Sequence, residues 1–256
     1  MNILPIKTPL ITRGDDIVSI LLETLDTMDI RLQSGDIVVV ADKIIAISEG
    51  RYTDYTKIQP SCKATSLAKT YDLEPGFVEL VLCEADEILG GVSRALLTIK
   101  HDMLIANSGI DHKNAPGNSA TLWPITPNET AADLRRQLEK KTGKQIGVLL
   151  VDSHVIPMRM GTLGLAIGLA GFDPVKDCRG INDLYDQPLQ ITRINVADDL
   201  ASAAHFVMGE TTEQIPIAII RDSNIRIHDA YNPREVIIPR SECLYMKNLT
   251  RCHDKS

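Results

Sequence analysis

The segment Gly147-Val-Leu-Leu-Val-Asp-Ser-His154 constrains this chain more than any other. It opens with an apolar run, Gly147 to Val151, of the kind that forms a buried strand. It ends on a carboxylate, a hydroxyl and an imidazole. A glycine-spaced run follows at Gly161, Gly164, Gly168 and Gly171. A strand that delivers an acid to its C-terminal end, followed by backbone open to close approach, suits a metal and a phosphorylated ligand. Those features favour an enzyme over a scaffold. The glycine run is neither GxGxxG nor a P-loop, because it lacks the Gly-Lys-Ser/Thr ending, and Lys141-Thr-Gly-Lys144 lacks the upstream glycine. Two readings of the run stay open: a ligand cradle, or a strand whose glycines admit a neighbouring backbone.

The rest of the chain places this segment in a fold class. An edge strand is expected over 3–6, an amphipathic helix over 15–28 with Ile17, Ile20, Leu21 and Leu25 on one face, and a buried strand over 36–41. Helices are expected over 42–49, 62–71 and 75–89, the last with proline in its first turn. Residues 95–100 and 103–106 read as a strand pair. A charged helix spans 130–142, capped by Asn128 or Thr130 and stopped by Gly143. After the strand at 145–151 come the glycine run, a helix over 198–208 and a strand over 215–220. Strands and helices alternate irregularly, which predicts an α+β or mixed α/β fold rather than a regular Rossmann or barrel pattern. A chain of 256 residues fits one large domain or two small ones. One domain over 1–240 is expected, with 124–129 as the nearest place for a subdivision, followed by a polar tail over 241–256.

Composition narrows the partners. Aromatic residues are only 4% and the net charge is −7, which argues against nucleic acid and against anionic membrane surfaces. No stretch approaches the roughly 18 apolar residues that a spanning helix needs, and no basic segment leads into an apolar one at the N-terminus. A cytoplasmic protein is expected, with no nucleic-acid or membrane partner. Cys62, Cys83, Cys178, Cys243 and Cys252 are scattered without a CxxC pair, as free cytosolic thiols are.

Asp111 and Asp152 each follow an expected strand. Two strand-end carboxylates supply the oxygens that Mg²⁺ or Mn²⁺ prefers; the alternative is that each aspartate makes a turn or caps a helix. His112 and His154 lie next to these acids but lack zinc-site spacing, and they read as exposed loop histidines. His154 beside Asp152 could also serve as a general base. In Met208-Gly-Glu-Thr-Thr-Glu-Gln-Ile215, Gly209 reads as a helix stop from which Glu210 projects, and the turn amides could cradle phosphate.

Taken in order, these motifs resemble the coenzyme F-420 γ-glutamyl ligase family. The matching residues run from Pro5 to Arg221. They include Gly35-Asp-Ile-Val-Val-Val40, Ser48-Glu-Gly-Arg51, Ala106-Asn-Ser-Gly-Ile-Asp111 with Asn114, Val151-Asp-Ser153, Pro157, Arg159 and Gly161. Ala166-Ile-Gly-Leu-Ala-Gly171, Asp177, Arg179-Gly180, Asp183-Leu-Tyr185, Ala197-Asp-Asp-Leu-Ala201 and Met208-Gly-Glu210 follow. The resemblance implies an intertwined α/β homodimer that joins L-glutamate to the precursor of the deazaflavin coenzyme. It implies GTP as co-substrate, two divalent ions (Mg²⁺ or Mn²⁺) and K⁺ as a further candidate ion. It implies that Asp111 and Asp152 are catalytic and hold one ion, and that Ser153, where the family usually has threonine, and Glu210 hold the second. Nucleotide contacts are implied at Thr8, Pro9, Leu10, Ile11, Asp42, Lys43, Asn114, Met208, Gly209, Glu210, Thr211, Thr212, Glu213, Gln214 and Ile215. Phosphoryl transfer from GTP would turn an unreactive carboxylate into an acyl phosphate, which the glutamate amine would then attack.

The chain also departs from the family pattern. The usual Ser-Lys-Ala-Glu-Gly-Arg reads Ala46-Ile-Ser-Glu-Gly-Arg51, so Ile47 stands where a lysine is expected at the nucleotide. The usual Asp-Thr-x-Gly-Arg reads Asp152-Ser-His-Val-Ile156, so Val155 and Ile156 replace a glycine and an arginine. The usual Asn-Ala-Gly reads Asn107-Ser-Gly109. Isoleucine neither neutralises nor hydrogen-bonds an anion. Lys43, Arg159 or His154 could compensate. A paralogue with another carboxylate acceptor, or a non-catalytic nucleotide- and metal-binding relative, are the alternatives.

Overall fold

A computed structural model describes residues 1–249. Along these residues run β1 (Asn2–Ile6), α1 (Ile17–Thr27), β2 (Ile37–Ala41), α2 (Asp42–Ser48), β3 (Tyr52–Asp54), α3 (Cys62–Tyr71) and α4 (Pro75–Glu84). Next come β4 (Glu87–Val92), β5 (Ala95–Lys100), β6 (Met103–Ala106), β7 (Ser119–Thr121), α5 (Pro127–Thr142), β8 (Gly147–His154) and β9 (Leu163–Ala170). The last are β10 (Val175–Asp177), β11 (Arg193–Asn195), α6 (Val196–Met208), β12 (Ile217–Arg221) and α7 (Leu244–Leu249). The fold is mixed α/β.

The central sheet has five strands in the order β1-β12-β2-β8-β9. Only β2 and β8 run parallel; the other pairs are antiparallel. Both faces are covered, which explains why β2 and the first half of β8 are continuously apolar instead of alternating. Val38, Val40, Val148 and Leu150 point to one face and join a core with Leu21 and Leu25 of α1 and Leu134 and Leu138 of α5. Ile37, Val39, Leu149 and Val151 point to the other and meet Leu200, Ala201 and Ala204 of α6. A third cluster gathers Ala64, Phe77, Val78, Leu96 and Leu122, all from the stretch between α2 and α5.

The expected elements are found with four main differences. The strand over 145–151 lies at Gly147–His154, so Asp152 falls inside it and not after it. The helix over 75–89 ends at Glu84, and Glu87–Val92 becomes β4, an irregular antiparallel partner of β5. The helix expected from 130 begins at Pro127, and neither Asn128 nor Thr130 caps it: Thr126 stands at that position without a side-chain cap, while Asn128 accepts a bond from the Leu169 amide at 3.0 Å. Within the tail, Leu244–Leu249 is helical; residues 250–256, with Cys252, lie outside the described residues. The other four cysteines are free.

The glycine run turns out to be a packing device. A Cβ at Gly164 would sit 2.3 Å from the Ala201 carbonyl oxygen of α6, and one at Gly168 would sit 2.5 Å from the Pro127 backbone of α5. Two helices therefore press on β9 where side chains are absent.

Candidate active site

The register of the parallel pair creates the site. Ala41 lies opposite Val151, so Asp42 and Asp152 are the residues just past the last parallel pair: Asp42 opens α2, while Asp152 stays in β8, paired with Leu165 of β9. That end of a parallel pair is where open α/β sheets bind ligands. A register shift between β8 and β9 falls just before Asp152, between Leu150 and Val151, a common device beside active sites.

Asp111 comes to the same place by a different route. Asn107, Ser108 and Gly109 all have left-handed backbones, with φ of 50, 56 and 71°. The Asn107 carboxamide oxygen holds the turn by accepting from the Leu96 amide at 2.8 Å. The chain then runs antiparallel to Thr121, with Thr121 N–H donating to the Asp111 carbonyl at 2.8 Å. Lys43 of α2 donates to Asp111 Oδ2 at 2.5 Å and to the Lys113 carbonyl at 2.7 Å. Asp152 Oδ2 accepts from Trp123 Nε1 at 2.7 Å, and Oδ1 from the Ser153 amide at 2.6 Å.

The three acids differ in their affinity for a proton. Burial drives Asp42 well above the usual carboxylate range, and the charge of Asp152 adds to it. Burial pushes Asp152 up to about 6 against the Trp123 and Ser153 hydrogen bonds. Burial also works to raise Asp111, but the charge and hydrogen bond of Lys43 outweigh it and hold the group below its ordinary value. One ammonium thus serves a cluster of three carboxylates.

The residues expected to contact a nucleotide come together from distant parts of the chain. Gln214 Nε2 donates to the Thr8 carbonyl at 2.9 Å, and Asn114 Nδ2 to the Thr211 carbonyl at 3.0 Å. Leu10 is exposed, whereas Thr8 and Met208 are buried, Met208 in the α6 core. Gly209 ends α6, as expected, and its N–H bonds the His205 carbonyl. The Thr211 amide is taken by Glu213 at 2.7 Å. Glu210 bonds His205 Nε2 at 2.5 Å and Thr162 Oγ1 at 3.2 Å. Thr162 leads into Leu163 and Gly164, which pair with His154 and Ser153. Because neighbours on a strand point to opposite faces, Asp152 and Ser153 address the strand end from its two sides, Ser153 on the side of α6 and Glu210.

Several expectations are sharpened. His154 is half-buried in β8 rather than exposed in a loop; its Nδ1 has no partner, and burial lowers its pKa. His112 is exposed and meets the Phe77 ring edge-on. Ile47 is buried in α2, while Val155 and Ile156 are exposed beyond β8. Sequence reasoning missed Trp123 entirely. Among the described residues no group of three or more His, Cys, Asp or Glu side chains is placed to hold a metal ion. A cavity of about 270 Å³ lies elsewhere, between His101, Ile125, the start of α5, β9 and Arg234. No described helix is long and apolar enough to cross a membrane.

Comparison with known proteins places the whole chain. The family model described as F420-0:Gamma-glutamyl ligase matches residues 5–222. A coenzyme F420:L-glutamate ligase of Methanothermobacter thermautotrophicus is 37% identical over 214 residues, 83% of this chain and 85% of the relative. One of Methanocaldococcus jannaschii is 38% identical over 84% of this chain and 86% of its own length. One of Archaeoglobus fulgidus is 32% identical over 98% of this chain and 99% of its own length. The chain belongs to the F420-0:gamma-glutamyl ligase family.

Proposed function

We propose that this ligase-family protein adds L-glutamate to the deazaflavin coenzyme F-420 precursor. The reaction uses GTP and divalent metal and passes through an acyl phosphate, in a cytoplasmic homodimer. The observation that carries the reading is the meeting of Asp42, Lys43, Asp111 and Asp152 at the carboxyl ends of β2 and β8. These are hard oxygen donors around a single ammonium, the donor chemistry that Mg²⁺ and Mn²⁺ take. Mg²⁺ is commonly held by one or two carboxylates plus substrate phosphates, so a three-carboxylate cage is not required. Asp111 and Asp152 would hold one ion, Ser153 and Glu210 the other, with K⁺ as a further candidate. When bound, the metal offsets charge that develops on the transferred phosphoryl group.

The chain's own residues do the rest. Lys43, movable from Asp111 toward an incoming phosphate, supplies positive charge. The Thr8–Ile11 loop, Asn114 and the Met208–Ile215 turn, already tied together by hydrogen bonds, border the nucleotide. Burial keeps His154 neutral at pH 7, ready to take the proton that the glutamate amine releases as it attacks. The test is a mass-spectrometric search for a gain of one glutamyl unit on the precursor, with GTP and Mg²⁺ or Mn²⁺. No gain with any nucleotide would sink the reading.

A second reading, a ligase for another carboxylate acceptor, is favoured by exposed Val155 and Ile156 where a glycine and an arginine were expected. Glutamate-dependent phosphate release with another acceptor, and none with the deazaflavin, would support it.

A further inference from the structure

Trp123 is the only tryptophan in the chain and it is fully buried. Its indole N–H, which can only donate, points at a carboxylate at the mouth of the site, Asp152 Oδ2 at 2.7 Å. Neighbours hold both the backbone and the ring of this residue. Arg51 Nε donates to the Trp123 carbonyl at 3.0 Å, the Lys100 ammonium lies 5.8 Å from a ring centroid, and His101 stacks on it at 6.4 Å with an interplanar angle of 10°. Gly109 closes another side: a Cβ there would come within 2.2 Å of the indole, and its φ of 71° disfavours any other residue. Lys100 and Arg51 are themselves pinned by one carboxylate, Glu84, at 2.5 and 3.1 Å.

We propose that Trp123 is a positioning residue: its N–H locks the Asp152 carboxylate in one orientation, so that each oxygen keeps an outward lone pair for the cation. The proposal rests on the metal-site reading of Asp152. Each oxygen already has one inward donor, the indole for Oδ2 and the Ser153 amide for Oδ1. A carboxylate held by two inward donors cannot swing away when Lys43 attracts it or the like charge of Asp111 repels it. Removing a group that orients a metal-binding side chain commonly costs about 10- to 100-fold in metal affinity or activity.

A lone tryptophan makes the test site-specific. In ¹⁵N-labelled protein it gives a single indole N–H cross-peak. That peak should shift and exchange faster with solvent in Asp152→Ala, and Mn²⁺ should broaden it where Mg²⁺ does not. Trp123→Phe should weaken Mn²⁺ binding, measured by calorimetry, by about 10-fold or more. If Trp123→Phe fails to fold, biosynthetic replacement by benzothienylalanine keeps the ring shape and substitutes sulfur for the N–H, and the same loss is expected. Unchanged Mn²⁺ affinity with benzothienylalanine, or an indole peak indifferent to Asp152→Ala, overturns the proposal. Failure of the underlying reading looks different: the peak answers to Asp152→Ala, but Mn²⁺ neither broadens it nor binds, and the proposal falls with the metal site.

Discussion

Asp111 and Asp152 share a chemistry but titrate in opposite senses, and that contrast is measurable. Folded Asp152 keeps its proton to about 6, while the unfolded chain releases it near 3.8. Between those values the folded state binds the extra proton, so its stability falls as pH rises through the window. Asp42 acts in the same direction. Asp111 does the reverse: held low beside Lys43, it stabilises the fold above its unfolded value of 3.8 and loses that contribution as pH falls further. In metal-free protein, Asp152→Asn should therefore flatten the decline between about pH 4 and 6, by on the order of 1–3 kcal/mol, in denaturation followed across pH. An unchanged slope would contradict the burial of that carboxylate. Lys43→Met should lower the ligation rate by about 100-fold or more, since it removes the ammonium that bonds Asp111 and acts on all three acids. Strand-end Asp152 was legible in the sequence because a buried apolar run points to it. Trp123 was not, because its importance lies in a hydrogen bond to a residue far along the chain. The closeness of Asp42 and Asp152 depends on a strand register that no local pattern encodes.

At the scale of elements, local rules worked where an element's own residues decide its form. Asp16 accepts from the Val18 and Ser19 amides and starts α1, and α3 occupies the span its pattern predicts. They failed where a partner decides. β4 continues the apolar spacing of α4 and reads as more helix; only pairing with β5 around Gly90 and Gly91 makes it a strand. β3, β7, β10 and β11 are three residues each, too short to show a period. The glycine run kept two readings open until α5 and α6 were seen against it. That outcome predicts a position-dependent cost. Gly168→Ala, which meets the Pro127 backbone, should destabilise the protein by about 1–3 kcal/mol in urea melts. Gly161→Ala meets nothing within 4 Å and should show only the cost of its φ of 99°, about 1 kcal/mol. Equal losses at both positions would argue against close packing as the role of the run.

At the scale of the molecule, the neighbouring strands β12 and β2 are joined by charge as well as by backbone. Arg221 at the end of β12 makes two bonds, at 2.8 and 2.9 Å, with Asp36 before β2, and a third to the Arg31 carbonyl. Asp36 is 1% exposed, so Arg221→Leu leaves a buried, uncompensated carboxylate. A loss of about 3–5 kcal/mol is expected in the denaturation midpoint analysis. The sheet order has a further consequence for how the protein is made. β2 sits between β12 and β8, and β1 pairs only with β12. As the ribosome releases the chain, β1 and β2 emerge early and wait unpaired, while the cluster between α2 and α5 can already collapse around its own residues. Pairings so distant in sequence form slowly. The acids of the site cannot assemble until β8 has emerged, and the sheet that fixes them cannot close until β12 has. Order at the site is therefore timed by translation: an incomplete product lacking β12 carries every acid, with α6 already able to pack on β9, but β1 has no partner strand and β2 lacks one of its two neighbours.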